Sequence, residues 1–457
     1  MKKDNLNEEN HYDRIDIVEG VTSKYKSASV RIEVAEDLLN TYNGQVMTIV
    51  ACNLLSRWVK EIVVVIPNST ECVLRKHSGK NLQVVIENII ATGRKGCSYS
   101  FDSNQKCNYI LSIGQPKVKD SVWIDCNGWL SGCGYIMKND STKNSVDSLV
   151  SASFAACLGV SEIFRQSLGE QTNNFSKWFS LYDYSCSYDM KELDNPELPK
   201  VITLGNVHQI GCGAIGSSFD FILSLSENIE AEIFLIDHDN IEGHNRPASL
   251  IFSPNDSKDN VKKVHACERE LAPHFQVKSY PEDYESFIKS GSYRENPPDL
   301  ILCFANERNI WSTIQHKYPP ITYHATTTKS WGTNFGRHIP QKDWCLMCRF
   351  GKEIKTTTPM MCSEGNISLK PEEEKLGVLP FLAPASAIIT LSSLYKLQDP
   401  KYLSLPNFVQ FSMRNINGQF NTLNYNPMGC ETCSQQDISI YPKYILDTKH
   451  WNLSNNN

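Results

Sequence analysis

An α/β protein built from two tandem strand–helix units is what this sequence predicts, and three observations carry the prediction. The stretch from Val207 to Arg246 reads as a strand, a glycine turn, a helix and a second strand that ends in acids. Segments of the first half follow the same order, offset by roughly 200 residues, which suggests an internal duplication. Two CxxC pairs then lie late in the second half, where they can clip distant segments together.

The 207–246 stretch organises the rest. Gly211, Gly213 and Gly216 open a helix directly after a short strand. Glycines let backbone approach phosphate, a helix N-terminus supplies N–H donors and positive potential, and a carboxylate ending the second strand can hold a ribose. That is a Rossmann-like nucleotide unit, although a tight strand-to-helix turn without ligand has the same glycines. Asp237 lies 21 residues after Gly216, which suits a dinucleotide or ATP equally. Asp239, Asn245, Arg246 and the Lys262-Lys263 pair favour ATP, because they put polar and cationic groups where a triphosphate would lie. A hydride-transfer site needs few of these; an acidic strand end and a solvated helix face are the plainer alternative.

In the first half, Val46–Ala51 reads as a strand, Leu55 onward as a helix and Ile62–Ile66 as a second strand, with no glycines at the turn. Asp120–Asn127 is a candidate buried strand that can be laid beside Asp299–Asn306. Ser148–Leu158 reads as a buried small-residue helix with Leu382–Leu391 as its counterpart. A first copy without a phosphate loop is expected to be a structural partner, with the acidic, proline-bearing 183–199 stretch as linker. The expected units are 1–195, inactive, and 196–457, ATP-binding, forming a pseudo-dimer within one chain.

Length and composition bound the function. The 457 residues, 40% apolar and 21% charged, suit two or three ordinary globular domains. A net charge of −6 without a basic block gives no reason to expect nucleic acid. The polar N-terminus lacks a signal-peptide core and no apolar run reaches the roughly 18 residues that cross a membrane, so no membrane and a cytoplasmic, reducing location are expected.

Sixteen cysteines are many. Cys52, Cys126, Cys157 and Cys303 sit in apolar patterns, where a buried free thiol is the default. Cys345/Cys348 and Cys430/Cys433 are spaced as metal ligands, and four thiolates fit a closed tetrahedral structural zinc site. The 81 residues between the pairs would be closed into one loop by the metal. Cys362 stands apart in a polar loop beside Ser363, Glu364 and Gly365, as a candidate nucleophile or an ordinary surface cysteine.

Taken together, the Gly211–Gly216 loop, Asp237-His-Asp239, Asn245 with its arginine, the lysine pair, both CxxC pairs and the cysteine loop before Gly377-Val-Leu-Pro resemble the ubiquitin-activating enzyme superfamily, which includes the ThiF and MoeB adenylyltransferases. The resemblance covers about residues 200–435. It implies tandem ThiF-type domains, use of ATP and Mg²⁺, and adenylation of the C-terminal carboxylate of a ubiquitin-like protein. It implies a thioester on Cys362 and hand-over to a ubiquitin-conjugating-like enzyme. Asp237 would hold the ribose, and Asn245, Arg246 and Lys263 (or Lys262) the phosphates. Tyr12-Asp13-Arg14 resembles the opening of the family's inactive domains, whose arginine reaches the partner's ATP, so Arg14 takes that role.

Departures from the family pattern matter. Arg246 follows Asn245 directly, where the family places its arginine three residues on. Asn306 stands where the family has a magnesium-binding aspartate. A glutamate-bearing stretch separates Cys362 from Gly377, closer to members that pass a thioester onward. Some bacterial conjugation operons, including ones concerned with antiviral defence, encode enzymes of about this size. The alternatives are a sulfur-carrier adenylyltransferase, a catalytically impaired scaffold of the same fold, and, less well supported, an NAD-linked oxidoreductase.

Overall fold

The computed structural model describes residues 20–118, 121–136, 145–170, 175–317, 319–340, 342–350, 379–426 and 428–430, together with Ile15 and Val18. Arg14, Cys362 and Cys433 lie outside them. The described residues contain two mixed eight-stranded sheets with the same strand order. The first holds β1 (Ser29–Val34), β2 (Glu61–Val65), β3 (Ser98–Ser100), β4 (Tyr109–Ile113), β5 (Val122–Asn127), β6 (Leu130–Gly134), β7 (Ser176–Ser180) and β8 (Cys186–Ser187). The second holds β9 (Ile202–Ile210), β10 (Ile229–Ile236), β11 (Gln276–Tyr280), β12 (Leu300–Cys303), β13 (Thr322–Thr327), β14 (Gly332–His338), β15 (Phe408–Ser412) and β16 (Asn421–Leu423). Their orders are β3-β2-β1-β4-β5-β6-β7-β8 and β11-β10-β9-β12-β13-β14-β15-β16. In each, the links through the fifth strand in that order are parallel and the last three are antiparallel.

The expected duplication is therefore present in the topology, but two of its predicted elements need correction. Val46–Ala51 is not a strand; it lies inside helix α1 (Tyr42–Ser56), whose N-terminus is capped by Thr41 Oγ1 accepting from Gly44 N at 3.1 Å. Every residue from Asn43 to Ser56 is buried, polar ones included, so the helix has no wet face and its run of β-branched residues has no helical stripe to distinguish it from a strand. The true first strand is β1, whose buried positions alternate. Likewise, the topological equivalent of β12 is β4, and that of Val122–Asn127 is β13, so pairing 120–127 with 299–306 is out by one strand. The 148–158 and 382–391 pairing holds, as α3 (Leu149–Ser167) and α8 (Leu382–Tyr395).

Helix α2 (Leu82–Ala91) follows β2, and in the second half α4 (Ala214–Leu223) follows β9 and α5 (Lys263–Leu271) precedes β11. Helix α6 (Arg308–Lys317) follows β12 and α7 (Leu346–Phe350) follows β14. The halves share one core. α1 packs on α3, α4 on α8, and α3 on α8 across the seam, so a single apolar cluster runs through both halves. Burial of this kind contributes about 25 cal/mol per Å² of apolar surface, and it is the main force holding the two sheets together. Polar bonds fix the register: Ser161 Oγ donates to Met413 O at 2.7 Å and Lys396 Nζ to Tyr182 O at 2.8 Å. Cys52, Cys126, Cys157 and Cys303 are buried free thiols, as expected.

Candidate functional site

β9 is hydrogen-bonded to β10 on one side and β12 on the other, and the strand order reverses there. In such sheets the crevice beyond the carboxyl ends of the strands takes ligands. The glycine turn fills that position. Gly211 has φ +96°, and a Cβ there would stand 2.8 Å from Ala305 N and 2.9 Å from Phe304 C. A Cβ on Gly216 would meet Gly211 O at 2.2 Å, so this glycine lets α4 lie directly against the turn. Gly213 differs: it is the N-cap of α4, and a Cβ there would have nothing within 4 Å. The helix N-terminus thus faces open space.

The equivalent turn of the first half is filled. Ala35 N donates to Ile113 O at 2.9 Å, and the buried Leu38 and Leu39 follow. The Leu38 Cδ1 atom lies 2.7 Å from where a Gly114 Cβ would be, at the end of β4. A leucine side chain thus packs where the second half keeps its glycine turn open.

Acidic and basic groups gather around the glycine turn of the second half. Asp237 Oδ2 accepts from Cys212 N at 2.7 Å and Oδ1 from Asp239 N at 2.8 Å, so the carboxylate ties the glycine turn to the end of β10. Lys263 Nζ donates to Asp239 Oδ2 at 2.6 Å, with its side chain 9% exposed. Burial alone would lower the Lys263 ammonium and raise the Asp239 carboxyl. The charges of Asp237 and then Asp239 outweigh this for the lysine, which is held above its usual value, and Lys263 outweighs it for Asp239, which is held below. Lys262 is placed differently, donating from Nζ to His238 O at 2.6 Å.

Glu307, which sequence reasoning passed over, joins this group. Burial pushes its carboxyl up, His238 and Lys263 oppose that, and the charges of Asp239 and Asp237 add to it. Asn306 beside it is half-buried. The only signal in the sequence was adjacency, since Glu307 follows the asparagine at the family's aspartate position. Asp237, His238 and Asp239 bring donor atoms within 4.8 Å of one another, and Glu307 feels the charge of both aspartates, so this group supplies carboxylate oxygens of the kind magnesium takes.

Asn245 and Arg246 are engaged elsewhere. Asn245 Oδ1 accepts from Glu242 N at 2.8 Å, closing a capping box on the short helix Gly243–Ala248. Arg246 is buried, and its Nη2 donates to Gly93 O of the first half at 2.7 Å.

The thiol cluster forms in part within the described residues. Cys345 Sγ lies 3.6 Å from Cys348 Sγ and 3.5 Å from Cys430 Sγ, and Cys348 N donates to Cys345 Sγ at 3.3 Å. Tetrahedral zinc with Zn–S bonds near 2.3 Å needs S···S edges of about 3.8 Å, so these three fit the ion. The segments also meet without metal, since Trp344 N donates to Tyr425 O at 3.1 Å and the two rings stack at 3.9 Å.

An open helix N-terminus at a strand-order reversal, with a lysine–carboxylate group beside it, is the arrangement in which α/β proteins take nucleotides. Residues 184–434 match the ThiF family, and residues 29–181 match the BilD N-terminal domain. The chain belongs to the ThiF family, a family of nucleotide-binding adenylyltransferases. Among solved structures it is similar to E. coli MccB with ATP, at 20% identity and a TM-score of 0.37 over 50% of this chain and 67% of that one. It is also similar to E. coli MccB with SeMet MccA, at 22% identity and a TM-score of 0.39 over 50% of this chain and 66% of that one. The match thus spans about two thirds of the length of these chains. No curated protein matches the chain. Among the described residues, no helix is long and apolar enough to cross a membrane.

Proposed function

We propose that this chain activates a ubiquitin-like protein in two steps. The carrier's C-terminal carboxylate attacks the α-phosphorus of ATP, and pyrophosphate leaves. The Cys362 thiolate then attacks the acyl-adenylate, forming a thioester and releasing AMP, and a conjugating enzyme takes the acyl group from there. The observation that carries this reading is the open α4 N-terminus at Gly213, flanked by the Asp239–Lys263 pair, in a ThiF-family chain. N–H groups at a helix start and a nearby ammonium stabilise negative charge on phosphates as the transition state forms.

Residues 1–195 form the inactive unit in this reading and 196–457 the active one. Gly211, Gly213 and Gly216 cradle the phosphates and Asp237 holds the ribose. Lys263 faces the polyphosphate, with Lys262 beside it and Arg14 reaching in from the first half; Asn245 and Arg246, which the family pattern also assigns to the phosphates, would have to leave Glu242 N and Gly93 O to join them. Asp239 and Glu307, with Asn306, would hold magnesium, which when bound neutralises phosphate charge. Cys345, Cys348, Cys430 and Cys433 would hold a structural zinc that keeps the two CxxC segments together.

The test mixes the protein with ATP, magnesium and the ubiquitin-like protein encoded beside its gene. A thiol-sensitive adduct on a non-reducing gel is expected, lost in Cys362→Ala while ATP–pyrophosphate exchange continues. An adduct that survives in Cys362→Ala overturns the choice of nucleophile. Nucleotide binding without exchange selects a second reading, a catalytically impaired scaffold, which the neutral Asn306 favours.

A further inference from the structure

The loop from Arg246 to Phe252 joins the acidic end of β10 to the segment that carries the lysines, and a group from the other half grips it. Arg57 caps the C-terminal end of α1 and is 3% exposed. Its guanidinium donates across the seam to Leu250 O at 3.0 Å, Phe252 O at 3.3 Å and Arg246 O at 3.4 Å. Within its own half it donates to Asn53 Oδ1 at 3.0 and 2.7 Å, to Thr92 O at 3.1 Å and to Thr92 Oγ1 at 2.9 Å. Asn53 Nδ2 in turn donates to Leu250 O at 3.0 Å. Arg246 answers from the other side by donating to Gly93 O.

Neutral oxygens are the acceptors in every one of these Arg57 bonds. A buried cation is costly unless all its donors are satisfied, and a planar five-donor fork suits several carbonyls at fixed angles better than an ammonium does. A merely structural arginine at this depth would most simply pair with a carboxylate. Arg57 instead divides its donors between Asn53 and Thr92 of its own half and three carbonyls of one loop of the other half, those of Arg246, Leu250 and Phe252. Burial and the neighbouring Arg246 lower Arg57 to about 9, so it is still charged at neutral pH.

We infer that Arg57, with Asn53, is the positioning residue through which the glycine-free half holds the 246–252 loop in the shape that nucleotide binding requires. The inference rests on the nucleotide site proposed above. It gives the first half a defined task at the second half's site, distinct from any reach by Arg14. Arg57 touches no ligand atom in this role; it acts through the backbone that links Asp239 to Lys263.

The test measures ATP affinity by titration calorimetry with ATP and magnesium alone, on the full chain, well below the unfolding midpoint. Arg57→Gln is expected to weaken ATP binding about tenfold or more, as expected for loss of hydrogen bonds from a charged donor. Ser161→Ala, which removes another buried bond across the same seam, should leave ATP affinity at the wild-type value. Should Arg57→Gln not fold, Asn53→Ala replaces it with the same expected direction. Equal ATP affinity in wild type and in the Arg57 or Asn53 variant overturns the inference, and so does an equal loss in Ser161→Ala. A wild-type protein that does not bind ATP would instead sink the nucleotide reading itself, and this inference with it.

Discussion

Gly213 and Gly216 lie three residues apart, yet adding one methyl group to each should have different consequences. At Gly216 the new Cβ would stand 2.2 Å from Gly211 O, a backbone atom that can yield only if the turn moves. Overpacking of this kind costs typically about 1–3 kcal/mol, and because the displaced atom belongs to the phosphate turn, ATP binding should fall with stability. At Gly213 nothing stands within 4 Å of the added carbon, so no clash arises, and the cost comes only from a ψ of −148°, which lies outside the regions alanine favours. The expected cost there is about 1 kcal/mol or less, the usual loss when an N-cap becomes alanine. The methyl group would, however, occupy the space in front of the α4 N–H groups, where a phosphate is placed. Thermal unfolding with and without ATP and magnesium separates the two effects. A ligand at a hundred times its Kd stabilises the native state by about 2.7 kcal/mol, a shift wild type should show and Gly213→Ala should lose despite a nearly normal midpoint without ligand. Gly216→Ala should start from a lower midpoint and also fail to respond. If Gly213→Ala keeps the full ATP-induced shift, the open N-terminus is not where the phosphates bind.

Two further outcomes follow from the ionic groups. Arg337 and Asp343 form a bidentate pair at 2.8 and 3.1 Å, with side chains 2% and 4% exposed. Asp343→Asn should cost about 3–5 kcal/mol in chemical denaturation by leaving a buried guanidinium unpaired, and a loss under 1 kcal/mol would contradict that account. The pH dependence has a definite sign at the acidic cluster. Glu307 is raised by burial and by Asp239 and Asp237, so protons compete for it above the ordinary glutamate range. Magnesium-dependent ATP affinity should therefore fall as pH drops through that raised value, and Glu307→Gln should flatten this part of the profile. Asp239 is depressed by Lys263, so the stability it contributes is present above the ordinary aspartate pKa and is lost as pH falls through the depressed one. Because Asp239 is half-exposed, that contribution is about 1 kcal/mol or less.

Much of this architecture was legible in the residues, for identifiable reasons. Gly211, Gly213 and Gly216 stand in a spacing that a strand-to-helix turn imposes, and Asp237 ends a clean apolar run, so the strand, turn, helix and second strand announced themselves. The first half was harder because α1 is buried on every side; a helix with no wet face leaves no period to read, and Val46–Ala51 passed for a strand. The pairing of Asp120–Asn127 with Asp299–Asn306 failed for a related reason. Short buried strands resemble one another, and only the hydrogen-bonded order distinguishes β4 from β5. Arg57 was beyond reach, since its partners are backbone carbonyls some 190 positions away and carry no side-chain signature. The engagement of Arg246 with Gly93 O was hidden in the same way.

The seam between the halves has a further consequence. Two sheets of one strand order, joined through a common core, have the geometry of a dimer whose subunits cannot part. Ordinary dimers come apart on dilution, and each subunit of a symmetric pair carries the same site. Here the partner is always present at a fixed effective concentration, whatever the amount of protein. The two surfaces are also free to differ. Leu38 can close one strand-to-helix turn while Gly213 keeps the other open, and the molecule gains a fixed front and back that no symmetric pair possesses.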